Sequence, residues 1–486
     1  MQNWFDYNMA DRVCISGSGL SLRQTEFRQR IDAQRNALLA RAQPDAPVAL
    51  LADNTPDWIA IDLATQELGI TLIPLPLFFT PQQWMHVIAS AGVQAIYCAQ
   101  PEQAAQLGFT RVVAQHGLTL CERPDAVTAI ALSGVQKITF TSGTTSAPKG
   151  VCLDVEQQWD VAHALHAELG VLGIQRHLCL LPLAVLLENI AGVYTALLAG
   201  AETICPPLAE VGLHGASGFD ASACLDAIGR YRAESIIVLP QMLQALVAYA
   251  QPQDERIASL KFVAVGGART PLGLIEAARR KGFPVYEGYG LSECASVVAL
   301  NLPGAERVGS VGRPLSNRKV RIAADGEIEV SGMPPTHYLG QPRSSTQWLP
   351  TGDIGHLDDE GYLFIDGRKK DVLITGYGRN VSPEWPESVL LGTGAFAQAI
   401  VFGEAQPCLA ALVVPASPHI DAQTMQAAVA AANSTLPDYA RIARWMVVTP
   451  FSPAEGLATA NGRLRRQAIW QRYEEQVLPL FEQSGA

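Results

Sequence analysis

A chain of 486 residues is too long for one ordinary core, so two or more domains are expected. Its 48% apolar and 17% charged content is that of a globular protein and excludes wholesale disorder. A net charge of −11 speaks against non-specific binding to nucleic acid, which needs a broad basic surface, although a local basic patch for phosphate remains possible.

In chain order, the N-terminal residues show no basic segment followed by an apolar one, so no secretory signal is expected. The segment 22–42 reads as an amphipathic helix, with Ser21 as its cap and Phe27, Ile31, Leu38 and Leu39 at helical spacing. Val48 to Ala52 reads as a short buried strand. Residues 53–56 form a turn into a helix over 57–68, and 70–74 the next strand. A helix opened by Pro81 and a strand over 93–98 follow. Strands alternating with helices predict a layered α/β unit with a mostly parallel sheet.

The stretch Thr139–Val151, TFTSGTTSAPKGV, carries six hydroxyls, two glycines and a lysine between two apolar runs. Glycine lets backbone N–H groups converge on an anion, hydroxyls add donors and lysine adds charge, so a triphosphate suits it. Thr141, Ser142, Gly143, Thr144, Thr145 and Lys149 are the expected holders, with Thr144 and Lys149 acting in the chemistry. The Walker A spacing is absent. Helices over 155–169, 189–198 and 241–250 alternate with strands over 178–183, 202–205, 235–239 and 262–265, giving a second α/β unit that runs into Gly266-Gly267-Ala268. From Gly309 short alternating strands with Asp-Gly turns predict a small β-subdomain. A compact α+β tail follows, with strands over 399–402 and 409–414, and Arg368-Lys369-Lys370-Asp371 marks the boundary.

Four stretches carry a family resemblance: TFTSGTTSAPKG, YEGYGLSEC (286–294), WLPTGDIG (348–355) and DGRKKDVLITGYGRNVSP (366–383), in that order. The chain resembles the adenylate-forming superfamily of acyl-CoA synthetases, peptide-synthetase adenylation domains and luciferases, nearest in flavour to long-chain fatty acid–CoA ligases. The likeness runs over nearly the whole chain. It implies a large N-terminal domain, 1–368, of two layered α/β subdomains plus a small β-subdomain, hinged at Lys370 to a mobile α+β domain, 369–486. It implies ATP and Mg²⁺, with Glu293 as the metal ligand and a hydroxyl, here Ser292, on the α-phosphate. Tyr289 and Gly290 would lie against the adenine, near Gly267 and Ala268. Asp353 and Arg368 are assigned to the ribose. The implied chemistry is attack of a carboxylate on the α-phosphorus of ATP, release of pyrophosphate, and transfer of the acyl group to a thiol. Rotation of the small domain would serve the two steps in turn.

The chain departs from that pattern at one place. The family's last motif supplies a lysine; here the matching residue is Arg463, and no lysine occurs anywhere after Lys370. Arginine keeps the charge and grips two oxygens in a planar fork, but lacks the compact ammonium. Either Arg463 substitutes for lysine, or the protein is a catalytically weakened nucleotide- or acyl-binding protein. Ser146 replaces a loop glycine, and Val185 stands where those relatives often have histidine, while Glu188 keeps their glutamate.

The acid is expected to be fatty or aryl, because 182–190, 239–242 and 297–300 are apolar and carry no cation; ordinary core packing accounts for the same residues. The acceptor is coenzyme A or the phosphopantetheine of a separate acyl carrier protein, and the enzyme is expected to be free-standing. Adenylation with another fate, such as lactone closure or oxidation, is a third reading. No apolar run spans a membrane. Nine scattered cysteines without a CxxC pair predict neither a disulfide framework nor a zinc site, and fit a reducing cytoplasm. His163 and His166 share a helix face without a partner acid, so no metal is expected there.

Overall fold

The structure is a computed structural model describing residues 11–125, 132–141, 148–215, 218–334, 336–343, 346–375, 380–459 and 462–482. Among these, two large mixed sheets form the body. In the first, Val48–Leu51 pairs in parallel with Leu72–Pro74 and Ala95–Cys98, and Lys137–Thr141 runs parallel to Leu72–Pro74. The first three of these strands are short, apolar and buried on both faces, as parallel strands covered by helices must be, while Lys137–Thr141 carries a buried lysine. The helix Pro56–Leu68 shows how locally the sequence dictates such units. Thr55 Oγ1 accepts from the Trp58 N–H, Pro56 occupies the first turn, and Gly69 closes the helix in the left-handed region at φ +69°.

The second sheet carries the parallel strands Arg176–Leu178, Glu202–Ile204, Ser235–Val238, Phe262–Val265 and Val285–Leu291. Its far edge is an N-terminal hairpin, Val13–Gly17 with Leu20–Arg23, which sequence reading had not separated from the helix behind it. That helix, Gln24–Leu39, is capped through Glu26, whose side chain accepts from the Arg23 N–H, and not by Ser21, which lies in the hairpin. A larger correction concerns 189–198. The chain there forms a π-helix, Leu187–Tyr194, before a single α-turn, Thr195–Leu198. The strand expected over 178–183 ends at Leu178, and the backbone beyond it is clamped by Glu188.

The strands Lys319–Ile322, Glu327–Ser331, Leu349–Leu357 and Leu363–Arg368 make a four-stranded antiparallel sheet. A two-residue strand, His337–Tyr338, leaves this region and pairs with Lys149–Leu153 of the first sheet. Beyond Leu373 the tail builds apolar cores of its own on the strands Phe396–Phe402, Leu409–Pro415 and Ile442–Val447 and on three helices, including Glu384–Gly392 and Arg466–Glu482. It touches the body where Glu384–Gly392 meets the helix Leu272–Arg280. There a Cβ on Gly273 would lie 2.8 Å from the Gly392 carbonyl oxygen.

Two fully buried ionic groups tie the body together. Lys137 Nζ lies 2.9 and 3.0 Å from the two carboxylate oxygens of Asp62, and donates to Asn189 Oδ1 and to Tyr194 Oη at 2.8 Å. Burial pulls the Lys137 ammonium down from its ordinary value and Asp62 opposes that fall.

Candidate active site

The site forms where strands of the second sheet end, the usual place for ligands in open α/β sheets. The strand Phe262–Val265 runs into Gly266-Gly267, with Gly267 at φ +83° and its missing Cβ only 3.0 Å from Leu239 Cδ2. Beside it, Val285–Leu291 reverses through a tight turn, Ser292–Cys294, into Ser296–Leu300. The reversal is crowded. A Cβ on Gly290 would stand 1.9 Å from the Ser296 carbonyl oxygen, and Ala295 and Ser296 are held at φ +56° and +106°. Non-glycine residues in that region store strain, and they aim Glu293 out of the turn.

Glu287, on the same strand, braces the glycine turn: its Oε1 accepts from the Thr270 N–H at 3.2 Å. Burial pushes its carboxyl up to about 7. Between the unfolded value near 4.5 and about 7 the folded chain therefore binds the extra proton, and stability falls as pH rises through that window. Glu287→Gln keeps the accepting oxygen and removes the titration. It should be more stable than the parent at pH 8 by roughly 3 kcal/mol and indistinguishable at pH 4, read from urea unfolding at both pH values.

Four groups predicted from sequence converge. Tyr289 Oη donates to Asp353 Oδ2 at 2.5 Å, and Arg368 Nε lies 2.8 Å from Asp353 Oδ1. Asp353 and Arg368 are paired in register on adjacent strands. Burial raises the Asp353 carboxyl above its usual range. Arg368, the Tyr289 hydrogen bond and the charge of Arg463 all work against that rise. Arg463, on the tail, is felt by this carboxylate through its charge, without an ion pair to it. Its loop is closed by Thr459, whose N–H donates to the Arg463 carbonyl at 2.7 Å and whose Oγ1 accepts from the Arg463 N–H at 3.0 Å. Lys370 is pulled below its ordinary value, first by burial, with Arg463 and Arg368 adding like charge.

Glu293 stands a short way off. Its Oε1 accepts from Tyr338 Oη at 2.6 Å, and its carbonyl oxygen from Thr336 Oγ1 at 2.7 Å. A carboxylate on a half-buried turn is a hard oxygen ligand of the kind Mg²⁺ takes singly, with phosphates and water filling the rest. Lys149 is exposed, with its Nζ 5.9 Å from the Tyr338 ring centre. Gly267, Gly290 and Ser292 line the cavity described below, while Ala268, next to Gly267, is exposed. Ser142, Gly143, Thr144 and Thr145 lie outside the described residues, and Thr141 is the last described residue of the strand before them. Sequence reasoning missed Tyr338, because a two-residue strand has no periodicity to read.

Behind Tyr289 opens a cavity of about 300 Å³. Val185, Leu186, Leu187, Val297 and Leu300 line it as expected. Leu239 and Met242 are not among its lining residues, and Ile236, Ile237 and Phe262 are. Its wall also holds a polar group, His177. Glu188 accepts from His177 Nε2 at 2.8 Å through one oxygen, and from the N–H groups of Leu180 and Leu181 at 3.1 and 2.8 Å through the other. His177 Nδ1 meets Ser235 Oγ at 2.9 Å. His177, Cys179 and Glu188 have the composition of a metal centre, but three of the glutamate's acceptor positions are already taken by His177 and the N–H groups of Leu180 and Leu181.

An apolar cavity ending at a Tyr-Asp-Arg cluster, beside a glutamate turn and under a separately cored tail, defines a two-part nucleotide-cleft protein of the α/β class. Residues 3–334 match the AMP-binding enzyme family and residues 370–485 the AMP-binding enzyme C-terminal domain; the chain belongs to that family. It is 32% identical over 297 residues to a 2-succinylbenzoate–CoA ligase of Bacillus velezensis, covering 57% of this chain and 58% of that protein, so it spans little more than half of that relative. It is 28% identical to an indoleacetate–CoA ligase of Aromatoleum aromaticum over 78% and 79% of the two chains. The crystal structure of an anthranilate CoA ligase in complex with anthranoyl-AMP shares the fold at a TM-score of 0.81, with 17% identity and 98% and 97% coverage. Among the described residues no helix is long and apolar enough to cross a membrane.

Proposed function

We propose that this protein activates an apolar carboxylic acid, aryl or fatty, with ATP and passes the acyl group to a thiol. The observation that carries this reading is the hydrogen-bonded cluster of Tyr289, Asp353 and Arg368, with Tyr289 lining the end of an apolar cavity. Asp353, with Arg368 holding one oxygen, accepts the vicinal hydroxyls of a ribose. Tyr289 stacks beside the base, with Gly267 and Ala268 at its edge. Thr141, Ser142, Gly143, Thr144, Thr145 and Lys149 hold the phosphates, and Ser292 donates to the α-phosphate. Glu293, turned by Tyr338, holds Mg²⁺, which when bound neutralises phosphate charge. The acid's carboxylate oxygen attacks the α-phosphorus, the bond to pyrophosphate breaks, and Arg463 steadies the charge shared between carboxylate and phosphate.

The thiol of coenzyme A or of a carrier protein's phosphopantetheine then displaces AMP. Relatives named for 2-succinylbenzoate, indoleacetate and ferulate support an aryl acid and coenzyme A. We place the division of the chain at 1–368 and 369–486, with the tail swivelling at Lys370 between the two steps. Eight buried cysteines and one half-buried, all free, support a cytoplasmic site of action.

The test is acid-dependent ATP–pyrophosphate exchange across aryl and fatty acids, followed by product formation with coenzyme A against a loaded carrier protein. A second reading, a weakened nucleotide- or acyl-binding protein, rests on arginine at 463. A folded, ATP-binding protein without exchange on any acid supports that second reading. If arginine is a tolerated substitute, Arg463→Lys raises exchange severalfold, and a flat or lower rate counts against that account.

A further inference from the structure

The π-helix Leu187–Tyr194 forms one wall of the cavity, with Leu187, Ala191, Gly192 and then Thr195 on its lining face. A π-turn is a poor helix in isolation and survives where tertiary contacts select it. Two sets of contacts do so here, from opposite sides. On one, Asn189 Nδ2 donates to Asp62 Oδ2 at 2.9 Å and Tyr194 Oη donates to the same oxygen at 2.6 Å, while both side chains accept from Lys137 Nζ. On the other, Glu188 reaches His177 and the N–H groups of Leu180 and Leu181.

Asn189 and Tyr194 are five residues apart. In an α-helix, at about 100° per residue, they would point some 140° away from each other and could not share one carboxylate oxygen. An i→i+5 turn stacks them on one face. Gly192 completes the arrangement, since a Cβ there would lie 2.4 Å from Glu188 Oε1 and 2.6 Å from His177 Nε2.

We infer that the buried Lys137–Asp62 pair, acting through Asn189 and Tyr194 and opposed by Glu188, locks the π register of Leu187–Tyr194 and thereby sets which acids the cavity admits. These are positioning residues: they shape the wall and leave the nucleotide end alone. The inference rests on the acid-activating reading for its consequence, though not for the lock itself.

The test uses full-length Tyr194→Phe, which keeps the ring and removes only the hydroxyl, and Tyr194→Phe combined with Asn189→Leu. Crystal structures of both are expected to show 187–194 rewound to i→i+4 hydrogen bonds with the lining face turned; an intact i→i+5 ladder in either overturns the lock. In acid-dependent ATP–pyrophosphate exchange over acids graded in width, KM for the parent's best acid should rise about tenfold and the order of preference change, with KM for ATP within twofold. An unchanged order and KM for acid overturn the specificity role. If the double variant does not fold, Tyr194→Phe alone decides. If the parent exchanges with no acid, the activity reading falls, and the crystal structures still decide the lock.

Discussion

Arg463→Ala should lower acid-dependent ATP–pyrophosphate exchange by about 10²–10³-fold, the cost of removing one preorganised charge from the reacting groups. Thiolysis of a supplied acyl-adenylate should fall by less than threefold, because the proposed swivel would bring another face of the tail to the second step. Arg463 is exposed, so the thermal midpoint should not move. Its charge is felt by both Asp353 and Lys370. Rapid-quench measurement of the two half-reactions separates the outcomes. Equal losses in both would mean that Arg463 serves the closed cleft in general, not the phosphorus-centred step.

Lys137→Met should be the most damaging single change to stability. Asp62 is wholly buried, and its counter-charge in that cluster is the Lys137 ammonium. Removing one partner strands the other, at a cost of about 3–5 kcal/mol. Replacing both, as Asp62→Asn with Lys137→Met, leaves a neutral amide beside Asn189 and Tyr194 and should recover more than half of that loss. Urea unfolding of the parent, both single variants and the double variant closes the cycle. An additive cycle, with the double variant as bad as the sum of its parts, would show that the two side chains stabilise the fold independently.

Much of this architecture is legible in the sequence, for reasons that differ by element. Runs such as Val48–Leu51 and Phe262–Val265 announce themselves because strands buried on both faces must be apolar throughout. Thr55-Pro56 and Gly69 mark the helix between them by local chemistry alone. Asp353, Arg368 and Tyr289 are found by their motifs, and the folded chain joins them by hydrogen bonds. The N-terminal hairpin is harder, since its strand Val13–Gly17 is completed by Glu202–Ile204, far along the chain. The π-helix is not readable at all: LENIAGVY has helical spacing, and the extra residue per turn is chosen by Asp62 and Lys137, which lie elsewhere in the sequence. His177 likewise gives no sign of Glu188, because a strand residue and a helix residue meet only in the packed interior.

The abutment of Gly273 against Gly392 bears on how readily the two bodies part. Where side chains interlock, separation means repacking many rotamers; where bare peptide groups touch, nothing has to be disentangled. This contact is of the second kind, although Gln244 Nε2 also donates to the Phe396 carbonyl oxygen at 3.4 Å between body and tail, so the swivel proposed above would meet little resistance at Gly273. A methyl group on Gly273, 2.8 Å from the opposing oxygen, would act as a wedge that favours the parted arrangement without touching any residue of the cleft.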